Sequence, residues 1–463
     1  MNKRWAVWLL RPAPLFLFLS VVMGTIVLAI VPPLRAPDEN AHFLRAYGLW
    51  RGDILPRQSD EKGRRGISIP SDIHAEFSFF ERARETAAQE RVSYHRVYSE
   101  LAASRPAASS AGDIFVPYGG SEGYSPVSYV PYVLAAGLAE TAGANWQFML
   151  YLMRFFGLVL TTALIAYAIA RTPVLPWGFF AVAMLPSSLY GRSVISADGA
   201  VLAATLVILA LCLRTALGSN DSPTSRAFWY AICALTKPSQ VVFVALEGMM
   251  RPFASLARNW LSVAAVTLPA FVLCVAWVLA TGGEMAAWRL HGEGDSGEQF
   301  RIGWKLNFMV QHPLHFPLVA FTTLDYSAEL WRQLIGVLGW LDTRLNPLAY
   351  PVVSVLLVLA NLDRLTAPAD TRRRIAFVSL FTAAAYTLVV FFLFFVTSTP
   401  IDADRVHGVQ GRYFVVVVPV LAIFVATLLP RSPPCLLQAG AAVLLALISG
   451  LAIVEAVLRK DWF

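Results

Sequence analysis

Residues 13–34 contain no charged side chain, and runs of the same kind recur to the end of the chain. A helix of about 20 apolar residues matches the hydrocarbon thickness of a bilayer. In lipid, only a structure that satisfies its own backbone hydrogen bonds can cross. Composition agrees. Of 463 residues, 57% are hydrophobic and 14% charged, with 13 Trp and a mean hydropathy of +0.58. Soluble domains carry roughly 25% charge. The expected fold is an all-α polytopic membrane protein, one transmembrane domain over residues 1–463 with no soluble domain at either end. Candidate spans are 13–33, 146–170, 173–190, 197–217, 259–281, 347–362, 375–397, 413–430 and 435–457. The stretch 226–250 is broken by Thr236-Lys237-Pro238 and reads as two short helices, which brings the expected number of spans to eleven. MNKRW followed by an apolar run resembles a secretion signal. No small-x-small site precedes Pro32-Pro33 and further spans follow, so it reads as an uncleaved first helix.

Two long connections interrupt the spans. The first, 34–145, is polar to about residue 125 and then weakly apolar over 132–140, a helix expected to rest on the membrane surface. The second, 282–346, holds apolar pieces at 306–324 and 330–341 that are expected to be interfacial helices. Lys and Arg in short connections set orientation. With Lys3, Arg4 and Arg11 in the cytoplasm, Arg171, Arg214, Arg226, Arg251, Arg258, Arg372–Arg374 and Arg431 fall there too, and both long connections lie outside. The net charge of +7 and pI near 9.3 reside in these connections, which excludes a nucleic-acid partner. Cys212, Cys233, Cys274 and Cys435 lie in apolar segments without metal-like spacing and are expected as buried free thiols.

The ionisable residues left at membrane depth fall mostly on the outer side of this threading, where such groups are costly unless they serve a function. Asp38 and Glu39, in RAPDENAHFLRAYG, follow the first span and its Pro-Pro stop, with His42 and Arg45 on the same helical face. One reading is a helix-start carboxylate that caps free N–H groups. The other is a general base on an acceptor hydroxyl, or a ligand to a divalent cation (Mg or Mn) shared by Asp38 and Asp198. Arg192 and Asp198, in GRSVISADGA, form either a hairpin ion pair or a phosphate clamp beside a second carboxylate. Lys237 either snorkels or faces a cavity at the helix break, where a phosphate suits it. Arg412 and Tyr413, in QGRYF, either anchor the interface or meet an anionic headgroup. The remaining charges of this set are Asp402, Asp404 and Arg405. Tyr124 and Tyr129, in YSPVSYVPY, offer aromatic faces for a sugar or only rest on the membrane. Trp340 and Asp342, in GVLGWLDTRLNP, touch a ligand or bend the chain. His74, His95, His312 and His315 lack metal spacing.

PDENAHFLRAY, YSPVSYVPY, RSVISADG, GVLGWLDT and VQGRYF, in that order, resemble a family of bacterial polytopic membrane proteins, domain of unknown function 2142, over almost the whole chain. PDExAHF and GRYF are the most specific parts. That family is similar to the GT-C superfamily of membrane glycosyltransferases. The resemblance implies a first outer loop with an essential acid, matched by Asp38 or Glu39, a second-loop acid, matched by Asp198, and a TKxP-like element at Lys237. It also implies polyprenyl-phosphate-linked sugar donors and, in some members, a divalent metal. PDE sets two acids side by side and leaves the base unassigned. Nothing resembles the WWDYG-type element of oligosaccharyltransferases, which argues against peptide acceptors.

The leading expectation is therefore a glycosyltransferase of the bacterial inner membrane, active on the periplasmic side. Its partners are membrane lipids, a lipid-linked sugar donor of undecaprenyl-phosphate type and a cell-envelope glycan or lipid-linked acceptor. Asp38 or Glu39 deprotonates the acceptor, while Lys237, Arg192 and Arg412 hold the leaving phosphate. No nucleotide-binding Gly-rich loop is present. A flippase for a lipid-linked glycan is the rival reading, favoured by inverted repeats that the sequence does not display. A scaffold subunit of a polysaccharide assembly is the third.

Overall fold

The computed structural model describes residues 11–103, 112–252, 255, 258–292 and 299–463. Lys3, Arg4 and parts of both long connections lie outside the described residues. Among the described residues, six helices are long and apolar enough to cross a membrane: Pro12–Ile30, Trp146–Arg171, Asp198–Ala216, Trp260–Thr281, Ala369–Ser398 and Cys435–Trp462. The chain is an all-α polytopic membrane protein. The other candidate spans form shorter pieces. Ala349–Ala360 and Val417–Leu428 are short apolar helices. The 173–190 segment divides into helices Pro176–Ala183 and Pro186–Arg192, because Pro186 lacks the N–H that would continue the first. Among the described residues, the eleven candidate spans thus correspond to six long helices and a set of shorter ones.

The break at Lys237 has the same origin. Helix Pro223–Thr236 starts with Pro223 after a Ser222 cap and stops before Pro238, and a 3-10 segment, Pro238–Met249, follows. A residue that precedes proline is pushed out of the helical region. Lys237 is accordingly extended, at φ −151° and ψ 141°. The two carbonyls this break frees are taken up by the first long connection: Ser125 Oγ donates to Leu235 O at 2.6 Å and Ser128 Oγ to Thr236 O at 3.0 Å.

Helix Asp198–Ala216 is central, with 78% of its apolar stretch buried inside the protein, whereas Trp260–Thr281 is peripheral at 17%. The first long connection builds its own core. Helices Glu39–Trp50, Ser71–Glu90, Tyr94–Ala103 and Val130–Thr141 pack Phe43, Tyr47, Phe77 and Phe80 together, against Trp146 at the start of the next long helix. An antiparallel ribbon, Gly66–Pro70 against Asp113–Pro117, closes this core. In the second connection, helices Ile302–Gln311, His315–Thr322 and Ser327–Gly336 are too short to span a bilayer and lead into a hairpin over Val337–Arg344.

Candidate functional site

Asp38 stands just before helix Glu39–Trp50 in a left-handed conformation, φ 53° and ψ 19°, and its side chain makes no capping hydrogen bond. Helix caps take extended dihedrals and accept from the first-turn N–H groups. The capping reading therefore fails for Asp38, and its carboxylate, 53% exposed, turns towards Arg412 at 3.7 Å. The other terminal nitrogen of Arg412 lies 3.6 Å from Asp198 Oδ2, and Lys237 Nζ donates to Asp198 Oδ1 at 2.7 Å. Lys237 also lies over the Tyr413 ring at 4.8 Å and the Tyr124 ring at 6.0 Å. Five distant parts of the chain thus meet in one cluster of two acids, two cations and two tyrosines.

Arg412 reaches the cluster because Gly411 lets its segment press against helix Ser327–Gly336. Any side chain at Gly411 would collide with the Leu330 carbonyl, and its N–H donates to Gln333 Oε1 at 2.8 Å. The guanidinium contacts both acids only at ion-pair distance, and its buried Nε has no hydrogen-bond partner among the described residues. A guanidinium with spare donors is suited to a phosphate, which it can bind in a planar fork. His42 closes the cluster from the helix side. Its Nδ1 shares a 2.6 Å hydrogen bond with the Tyr129 hydroxyl, and its ring meets Tyr124 edge-on at 5.3 Å. Burial lowers its pKa to about 4 against the pull of Asp38 and Asp198, so the imidazole is neutral at pH 7.

Five expected site residues lie elsewhere. Glu39 is fully buried in a two-pronged ion pair with Arg154, at 2.8 and 2.6 Å, and also accepts from the Ile195 N–H at 3.1 Å. A carboxylate so enclosed has no route to an acceptor. Arg192 is buried and donates to Ser20 Oγ, Thr162 Oγ1 and Ala183 O, with no ion pair among the described residues. Arg45 donates to the Asp53, Ile54 and Tyr124 carbonyls and so fixes the chain around Tyr124 instead of facing a ligand. Trp340 lies under the Arg84 guanidinium at 4.6 Å. Asp342 accepts from Arg35 at 2.6 Å, and Arg35 also donates to Asp461 at 2.7 Å, a network that holds the loop start.

Arg154 is the residue the sequence reading passed over. It sits inside a span-length helix and binds Glu39 together with the Leu28, Val31 and Pro32 carbonyls. A lone arginine within an apolar helix needs a partner, and an acid just past the first span was available as the signal. As for a metal, no group of three or more His, Cys, Asp or Glu able to hold one occurs among the described residues. Asp38 and Asp198 share Arg412, and Asp198 also holds Lys237, so the donor set does not fit a divalent cation without loss of those pairs.

The family described as Predicted membrane protein (DUF2142) matches residues 19–421. No curated protein matches. Among solved structures, the crystal structure of ArnT from Cupriavidus metallidurans bound to undecaprenyl phosphate is similar, at 13% identity and a TM-score of 0.41. The match covers 98% of this chain and 64% of the ArnT chain, so this protein spans less than two thirds of that one's length.

Proposed function

We propose that this chain, which belongs to the DUF2142 family of predicted membrane proteins, is a glycosyltransferase that moves a sugar from a polyprenyl-phosphate donor to a hydroxyl of a cell-envelope glycan or lipid-linked acceptor. The site faces the extracytoplasmic side of the inner membrane in this reading. The observation that carries it is the convergence of Asp38 and Asp198 on a guanidinium with unused donors, beside Lys237. Asp38 is the more exposed acid and serves as general base. The acceptor oxygen attacks the anomeric carbon, its proton passes to Asp38, and the bond from that carbon to the phosphate oxygen breaks. The leaving polyprenyl phosphate is held by Arg412 and Lys237, whose charges stabilise it as it departs. Asp198 keeps the Lys237 ammonium in place. Neutral His42, with Tyr124 and Tyr413, walls the sugar.

Asp38→Asn tests this with little structural disturbance, because asparagine tolerates the left-handed conformation as aspartate does. With purified protein in liposomes and a radiolabelled polyprenyl-phosphate sugar, transfer falls on the order of 100- to 10,000-fold. Full transfer by Asp38→Asn at normal abundance overturns the reading.

A further inference from the structure

Seven residues before Arg412 in the chain lies a cavity of about 210 Å³ that the cluster does not use, lined by Thr323, Tyr326, Leu330, Arg405, His407 and Val409, among others. It opens between helix Ser327–Gly336, the turn before it, and the 405–409 segment. Its chemistry is divided. Leu330 and Val409 give an aliphatic wall next to the Tyr326 ring. Arg405, whose guanidinium lies 4.2 Å over that ring, makes no ion pair among the described residues, and His407 is exposed. Thr323 is already committed: its hydroxyl donates to Val319 O and accepts from the Val406 N–H, which fixes the cavity floor.

We propose that this cavity is a second subsite, and that it seats one acidic sugar ring, a monosaccharide unit that carries a carboxylate or phosphate, as part of the acceptor. A guanidinium and an imidazole beside aliphatic and aromatic walls match a ring with an apolar C–H face and one acid. A bare phosphate would leave the aliphatic wall wet. The volume is below the roughly 300–1,000 Å³ of sites for drug-sized ligands, which fits one ring and not an oligosaccharide. Val409 and Arg412 are three residues apart, so at most about 11 Å of chain separates the cavity wall from the cluster. Gln410, between them, keeps a buried side-chain oxygen without a partner among the described residues, an acceptor for a ring hydroxyl. The subsite and the cluster are thus joined by one short stretch of chain, Val409 to Arg412, whose guanidinium lies 3.7 Å from Asp38. The inference rests on the transfer reading for its sugar class and for the ring's place in the acceptor.

The test is binding, which needs no transfer. Full-length protein in lipid nanodiscs is titrated with D-glucuronate, D-glucose and inorganic phosphate, followed by saturation-transfer difference NMR. Glucuronate binds, and the other two bind about tenfold more weakly or less. Arg405→Gln weakens glucuronate about tenfold, the loss of one charge-assisted contact, and His407→Gln weakens it by less. Lys237→Gln leaves it unchanged. Glucuronate binding that survives Arg405→Gln, or that is lost in Lys237→Gln, places the ligand in the cluster and overturns the inference. Equal binding of glucose or of phosphate also overturns it. Arg405-dependent binding in a protein that transfers no sugar leaves this subsite standing and removes only the transferase reading.

Discussion

Asp38 and Glu39 are neighbours in the chain, yet Glu39 closes on Arg154 with neither side chain exposed, while Asp38 stands half in solvent opposite Arg412. The closed pair uses 2.6 and 2.8 Å contacts and fills the rest of the guanidinium with three carbonyls from the end of the first span. The open cluster keeps its acids at 3.6 and 3.7 Å from Arg412 and leaves donors over. One arrangement has no capacity for a ligand, and the other has capacity to spare. The difference is also a division of labour. Glu39, the residue after Asp38, accepts from the N–H of Ile195, three residues before Asp198, so the closed pair ties together the segments that carry both acids of the open one.

That comparison can be broken from the closed side first. Removal of one partner leaves an uncompensated buried charge, at about 3–5 kcal/mol. Arg154→Met or Glu39→Gln should cost that much in thermal unfolding in detergent, and the double variant should recover most of it. A single variant as stable as the parent would mean the pair is not sealed.

His42 sharpens the contrast through pH. Its folded pKa of about 4 lies below the unfolded value of about 6.5, so the unfolded state binds more protons in that window. The contribution of neutral His42 is complete above pH 6.5 and is lost as pH falls towards 4, about 3 kcal/mol in all. The groups that act on it are Asp38, Asp198, Lys237 and Arg412. The difference in unfolding temperature between the parent and His42→Gln should therefore shrink between pH 6.5 and pH 4. A difference independent of pH would place the ring in solvent.

On the open side, the proposed transfer has Lys237→Met lose one charge-assisted contact to the donor phosphate, about 1.5–3 kcal/mol. The donor KM should rise roughly 10- to 100-fold with a smaller change in kcat, and Lys237→Arg should restore part of it. An unchanged KM would show that Arg412 alone holds the phosphate. The smallest effect is expected at the join between the two regions. Ser128→Ala leaves the Thr236 carbonyl unpaired and should cost about 1 kcal/mol of stability, with no cost if water replaces the hydroxyl.

The membrane class was legible because apolar length and missing charge are local properties. Asp198, Lys237 and Arg412 were legible for a related reason: each is an ionisable residue at a helix end or break, where burial demands a purpose. Arg45 and Arg192 misled because the terminal nitrogens of a buried arginine can be taken up by carbonyls and hydroxyls with no carboxylate, and a sequence does not say which acceptor they have found. Glu39 misled because its partner, Arg154, lies 115 residues away inside what reads as an ordinary span. The Gly66–Pro70 ribbon was missed since its partner strand comes after two intervening helices, and no turn motif joins the two.

The serine contacts at the Lys237 break bear on how the chain is made. Leu235 emerges from the ribosome 110 residues after Ser125, a lag of roughly 6–20 s at the usual rate of synthesis. The hydroxyls that complete the interrupted helix are therefore already outside the ribosome when the break reaches the insertion machinery. A chain whose first long connection is still unfolded at that moment delivers two bare carbonyls to the lipid. The order of synthesis thus makes the polar connection available as a template before the later segment arrives to complete its hydrogen bonds.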